Sequence, residues 1–157
     1  MKCLSIREPW LTLIMQGDKE HEFRTWNPRI HGLGLVALHS SKTYGRTEKY
    51  VTEVMLGSGY LKPHNVEVMK RWLGHVRGVV SVPDIIDLTA MRNKGLPLEI
   101  ALDLGLPDDW RKKQTYAWRM VRERLLAKPI PLKGQLGLFD VDDDLITKAG
   151  VAHQWKV

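Results

Sequence analysis

Cysteine is almost absent from the chain, since Cys3 is the only one. One thiol makes no internal disulfide, so the fold must rest on packing, and a reducing compartment is natural. It also leaves no cysteine pair for a zinc finger or a dithiol redox site. Set at the start of an apolar stretch, Cys3 reads as a small buried hydrophobe. Long apolar runs are missing too. No stretch approaches the roughly 20 residues of a membrane span. Residues 1–6 are followed at once by Arg7, Glu8 and Pro9, which does not fit a signal-peptide core. The expectation is a cytoplasmic protein with no membrane partner.

Common catalytic signatures are lacking. There is no H-E-x-x-H, no P-loop, no G-x-S-x-G and no G-x-G-x-x-G. The six histidines, His21, His31, His39, His64, His75 and His153, share no metal-ligand spacing with one another or with a carboxylate. No metal and no cofactor is expected. His39 ends an apolar run and is a candidate ligand contact, while the other five read as surface or satisfied side chains. Acidic charge is scarce outside one cluster. Asp140, Asp142, Asp143 and Asp144 are four of the eighteen acids and read as a solvated turn. The remainder is basic, with a net charge of +6 overall and a pI near 9.5. A basic body suits a polyanionic partner but carries no sequence specificity.

What is present describes a globular chain. Its 157 residues suggest one domain, and 43% apolar with 27% charged is ordinary for a packed protein. Residues 2–7 read as a strand. Residues 9–16 read as a short amphipathic helix that Pro9 opens and Gly17 ends. Residues 19–25 are strand-like yet carry Lys19, Glu22 and Arg24 where a core should be, which marks a candidate site. Residues 33–39 read as a strand. Residues 47–56 read as a helix with Tyr50, Val51, Val54 and Met55 on one face, and residues 63–73 as another. Residues 76–82 form a β-branched strand with Gly78 inside. Residues 84–114 are ambiguous, with a helix suggested at 98–104. Residues 116–122 fit strand or helix, and 136–141 read as the last strand. A set of five or six short strands with intervening helices predicts an α+β protein around a small barrel or bent sheet.

Three stretches carry chemistry. Leu4, Ser5, Ile6, Arg7, Pro9 and Trp10 lead into Gly17, Lys19, Glu22 and Arg24. His39, Ser40, Ser41 and Lys42 follow. Tyr116, Ala117 and Trp118 precede a Pro129, Ile130, Pro131, Lys133, Gly134, Gly137, Leu138, Phe139 pattern. In this order they resemble the ASCH domain family, from about residue 4 to about residue 141. The resemblance implies a PUA-like β-barrel over 1–141, with helical insertions near 43–73 and 84–114, and a short tail at 142–157. It also implies RNA-linked roles, with some relatives acting as hydrolases or nucleases. One branch is similar to an amidohydrolase on acylated cytidines that uses a lysine, a threonine and a glutamate. Its lysine corresponds to Lys19, but its threonine position holds Glu22, so that mechanism does not carry over unchanged.

The residues themselves allow two readings. Glu22 and Arg24 share a strand face, and Arg24 can fork onto a phosphate or a base edge. Lys19 beside a carboxylate can hold a phosphate, or in a dry pocket lose its proton and act as a base. The hydroxyls of Ser40 and Ser41 with Lys42 suit a phosphate, although Ser41 or Thr43 would also serve as a helix N-cap. Trp26 and Tyr116 are candidates to stack on bases, whereas Trp10 reads as core. The leading expectation is therefore a module that binds RNA, single-stranded nucleic acid or a nucleotide-like ligand through Lys19, Glu22, Arg24, Trp26, His39, Ser40, Ser41, Lys42 and Tyr116. The alternative is a small hydrolase, a ribonuclease or an amidohydrolase on a modified nucleoside, using Lys19 and Glu22. A protein-interaction role for the helical insertions ranks third.

Overall fold

A computed structural model describes residues 1–28, 32–155 and 157. The expectation for His31 lies outside them. The elements are β1 (Lys2–Ile6), α1 (Trp10–Gln16), β2 (His21–Arg24), β3 (Gly34–Ser40), α2 (Arg46–Gly57), α3 (Pro63–Arg71), β4 (His75–Val82), β5 (Ile85–Asp87), α4 (Leu98–Ala101), β6 (Tyr116–Arg119), β7 (Val121–Pro131), β8 (Leu138–Asp140) and α5 (Asp143–Ala149). None of the described helices is long and apolar enough to cross a membrane.

One sheet has the order β7-β4-β3-β1-β8, and a smaller one runs β2-β6-β5. Among the described residues only β1 and β3 pair in parallel in the larger sheet. A parallel pair needs a crossover, which α1 and β2 provide. Alternation along β1 sends Leu4 and Ile6 to one face, where they join Leu11, Ile14 and Met15 of α1 and Trp118. Cys3 points to the other face, against Ala37, Val79 and Phe139, with Ile146 and Ala149 of α5 alongside. The sheet is thus covered on both sides. Burial pushes the Cys3 thiol up to about 12, the state of an inert core thiol. Gly78 is required by α1: a Cβ there would lie 2.2 Å from Met15 Cε.

The expected α+β class holds, but hydrogen-bonded pairing among the described strands gives two sheets rather than one closed barrel. The reason is a single strand run that changes sheets. β6 pairs with β2 and β5, the chain bends at Met120, and β7 continues against β4. The Met120 N–H still donates to the Glu20 carbonyl at 2.8 Å, in line with the β2–β6 pairing, and the next residue, Val121, already pairs with Ser81 of β4. Register shifts in the β4–β7 ladder add to the bend.

Two local expectations need correction, and one open alternative is decided. Tyr50 and Val54 of α2 are exposed, while Glu48, Thr52 and Met55 face inward. Of the two readings for residues 116–122, the strand is found, as β6 and the start of β7 on either side of Met120. The acidic cluster is not a turn in solvent. Asp142 caps α5 by accepting from the Asp144 N–H at 2.9 Å, and Asp143 and Asp144 fill the first turn, where acids complement the helix dipole. Beyond α5, Val151 bridges to Leu126 and the Val157 carbonyl accepts from the Asn65 amide.

Two buried polar networks lock the architecture. Glu8, fully buried after β1, accepts from Arg77 of β4 at 2.8 Å, from Ser40 at the end of β3 at 3.0 Å and from the Thr12 N–H of α1 at 3.0 Å. Arg77 also donates to the Thr12 hydroxyl at 2.7 Å. Asp103 does the same for residues 84–114. It accepts from the backbone of Glu20, His21 and Leu104 and pairs with the His21 ring at 3.1 Å. Burial pushes the Asp103 carboxyl up, but the His21 hydrogen bond, Lys19 and the backbone donors outweigh it and hold the pKa below the usual value.

Removing one partner of the Glu8–Arg77 pair leaves an uncompensated buried charge. Arg77→Met is therefore expected to cost about 3–5 kcal/mol, and Glu8→Gln combined with Arg77→Met less than the sum of the two. Urea unfolding of the three variants checks this. For Asp103 the folded pKa is depressed, so its contribution is present above the unfolded carboxylate value of about 4 and is lost as pH falls through the folded value. Asp103→Asn should lower the unfolding temperature at pH 7, and thermal scans toward pH 3 should show the gap to wild type closing.

Candidate functional site

At the ends of β1 and β3 the sheet faces stop being apolar. Ser5 and His39 sit opposite each other in the parallel register, on the side of the sheet occupied lower down by Cys3 and Ala37. There they form the floor of a cavity of about 610 Å³. Arg7 and Trp10 come from the chain after β1, and Glu22, Phe23 and Arg24 from β2. Ser41, Lys42 and Thr43 follow β3, and residues 133–137 close the far side.

The electrostatics are one-sided. Among the described residues, four cationic side chains, Arg7, Arg24, Lys42 and Lys133, line the cavity with a single carboxylate, Glu22. The Arg24 Nε lies 3.1 Å from Glu22 Oε1, and its Nη2 donates to the Ser5 carbonyl at 2.6 Å, which fixes the guanidinium beside the floor. Arg7 reaches Glu48 at 3.7 Å but is largely exposed. Among the described residues Lys42 and Lys133 form no ion pair. The stem of Lys42 is seated on Gly74, where a Cβ would come within 2.6 Å of its Cε. Loop 133–137 approaches closely because Gly134 has no side chain: a Cβ there would stand 2.8 Å from both Ser5 Oγ and His39 Cε1.

The expected site residues divide into two groups. Glu22, Arg24, His39, Ser41 and Lys42 converge on the cavity. Lys19 does not line it. Its ammonium donates to the Leu104 carbonyl behind the wall, 4.5 Å from the Phe23 ring and 5.3 Å from the Trp10 ring. Burial lowers the Lys19 pKa, opposed by Glu22 and Asp103. Ser40 is turned inward to Glu8. Trp26 packs edge-on against Trp118 with ring centroids 4.8 Å apart, and Tyr116 leans on the same core. Ser41 caps no helix; its hydroxyl accepts from the Thr43 N–H at 3.2 Å.

Several cavity residues were visible in the motifs but not assigned to the site: Ser5, Arg7, Lys133 and Gly134. Trp10 packs against the core and also forms part of the cavity wall. Phe23 carried no sequence signal beyond its neighbours. Among the described residues, no group of three or more His, Cys, Asp or Glu gathers to hold a metal ion.

Comparison with known proteins points one way. No curated protein matches the chain in a sequence search. The crystal structure of ASCH from Zymomonas mobilis is similar, at 13% identity, with 94% of this chain and 91% of that one covered and a TM-score of 0.55. A point mutant of that protein superposes at a TM-score of 0.56, again at 13% identity, covering 94% and 92%. Identity this low establishes a shared fold and nothing finer. The ASCH domain model matches residues 4–130, most of the sequence, and so the chain belongs to the ASCH domain family.

Proposed function

We propose that the cavity binds RNA or a nucleotide-like ligand through its phosphates. The observation that carries this is the convergence of Arg7, Arg24, Lys42 and Lys133 around one carboxylate, already engaged by Arg24. Such a field concentrates anions, and Arg24 offers a planar fork to a phosphate. Trp10 and Phe23 supply flat apolar surfaces in the same wall, the partners on which a base stacks. That role passes to them from Trp26 and Tyr116, which face the core.

The hydrolase reading built on Lys19 and Glu22 has one observation in its favour, the lowered pKa of a buried lysine. It has one against it, since the Lys19 ammonium is engaged by the Leu104 carbonyl behind Trp10 and Phe23. The binding reading needs no such rearrangement.

Fluorescence anisotropy with a labelled single-stranded RNA at two salt concentrations tests the proposal. Wild type should bind, and more weakly at the higher salt. Lys42→Ala should weaken binding and flatten the salt dependence by about 0.7 in the log–log slope, as for one lost phosphate contact on a single strand. Equal affinity for Lys42→Ala and wild type would place the ligand elsewhere. Gly134→Ala should also weaken binding, because the new methyl pushes loop 133–137 off the floor. Its thermal unfolding should register an overpacking cost of about 1–3 kcal/mol.

A further inference from the structure

Ser5 and His39 form a hydrogen-bonded pair that phosphate binding does not require. Ser5 Oγ lies 2.8 Å from His39 Nδ1, and His39 Nε2 lies 2.7 Å from the Leu132 carbonyl. A carbonyl oxygen only accepts, so Nε2 carries the ring proton. Nδ1 is then the free acceptor, and the serine hydroxyl must donate to it. The ring is 1% exposed and stands edge-on to Phe139 with centroids 6.1 Å apart. It is fixed in orientation, in tautomer and against a neighbour. Ser5 is half-buried and opens to the cavity.

We propose that Ser5 and His39 are a nucleophile–base dyad that hydrolyses an ester carried by a phosphate-bearing molecule. Each part of such a dyad has a residue here. The hydroxyl is within hydrogen-bond reach of a neutral imidazole, and a third group orients the base, with the Leu132 carbonyl where a carboxylate often stands. The two ring nitrogens exchange their usual roles. Burial lowers the His39 pKa; the Leu132 and Gly74 carbonyls oppose this, and His75 and Lys42 add to it. Burial thus favours the uncharged ring, and the Nε2–H bond to Leu132 leaves Nδ1 as the acceptor facing the hydroxyl. Arg24, held on the Ser5 carbonyl at 2.6 Å, keeps a cation in the same cavity as the hydroxyl, the kind of charge that favours a developing oxyanion. Gly134 packs its backbone against the pair, where a Cβ would stand 2.8 Å from Ser5 Oγ, and so holds the hydroxyl on the imidazole while Ser5 still lines the cavity.

The reaction balances without a further reagent. Ser5 Oγ bonds to the acyl carbon as its proton passes to His39 Nδ1. The bond from that carbon to the leaving alkoxide breaks, and the alkoxide takes the proton from Nδ1. Water then attacks the acyl-serine, gives its proton to Nδ1, and Oγ recovers it as the acid leaves. That the ester is phosphate-bearing rests on the cavity's being a phosphate site; the dyad itself rests on geometry alone.

Two probes on the intact protein test this: labelling with a fluorophosphonate, read by intact mass and peptide mapping, and turnover of 4-nitrophenyl acetate. Wild type should gain one adduct, on Ser5, and hydrolyse the ester. Ser5→Ala should lose both, and His39→Gln should slow both by about 10²–10⁴-fold, the usual contribution of a positioned base. If His39→Gln does not fold, the Ser5 adduct on wild type and its loss in Ser5→Ala still decide. An unlabelled Ser5 in folded wild type, or turnover unchanged by Ser5→Ala, overturns the dyad. RNA anisotropy on the same samples separates the two proposals. A Ser5 adduct without RNA binding supports the dyad and removes the phosphate-bearing substrate class, whereas RNA binding with an unlabelled Ser5 sinks the dyad alone.

Discussion

The buried ion pair between Glu8 and Arg77 is the constraint on which the rest of the structure turns. Two charges inside a protein are tolerated only when each is paired and hydrogen-bonded, and these are. Glu8 meets Arg77, Ser40 and the Thr12 N–H at 3.0 Å or less. The four residues come from the start of α1, the end of β3, the middle of β4 and the corner after β1. Satisfying them fixes where β1 and β3 stop, how α1 lies on the sheet, and which strand flanks β3. The register that sets Ser5 opposite His39 runs directly into this knot.

With the strand ends fixed, the cavity follows. β1 and β3 deliver Ser5, His39 and the cationic turn at Lys42 to one floor, and β2 brings Glu22 and Arg24 across from the second sheet. Asp103 secures the start of β2 from behind. Lys19 lies between these layers, bound to the Leu104 carbonyl, and its side-chain nitrogen stays out of the cavity. The same arrangement separates two jobs. Cations lining the cavity can attract a polyanion, while the hydrogen-bonded floor holds a buried imidazole next to a hydroxyl.

Much of this was legible in the sequence. Alternation and helix punctuation located β1, α1, β3, α3 and β4, and the polar strand at 19–25 marked a wall of the site because charge there serves no core. What escaped did so for physical reasons. In the sequence Glu8 shows only a charged break after an apolar stretch, since nothing local reveals that Arg77 lies against it. The acidic run at 140–144 looks the same as a solvated turn until Ile146 and Ala149 find a sheet to cover. Trp26 and Trp118 show no sequence trace of their edge contact, so Trp26 passed for a free stacking surface. Closure of a barrel depends on where one strand run bends, and Met120 carries no signal for that. Ser5 and His39 lie in two separate motifs, and nothing local joins them, because their pairing exists only in the parallel register.

The central claim is that this cavity, and no other surface, receives the phosphate-bearing ligand. Amide chemical-shift mapping during titration with a short single-stranded RNA and with a nucleoside monophosphate tests it most directly. The account predicts that both ligands perturb residues 5–7, 22–24, 41–43 and 133–137, and that Lys42→Ala attenuates the response. Shifts confined to α2 and α3, or none at these four segments at saturating ligand, would contradict it.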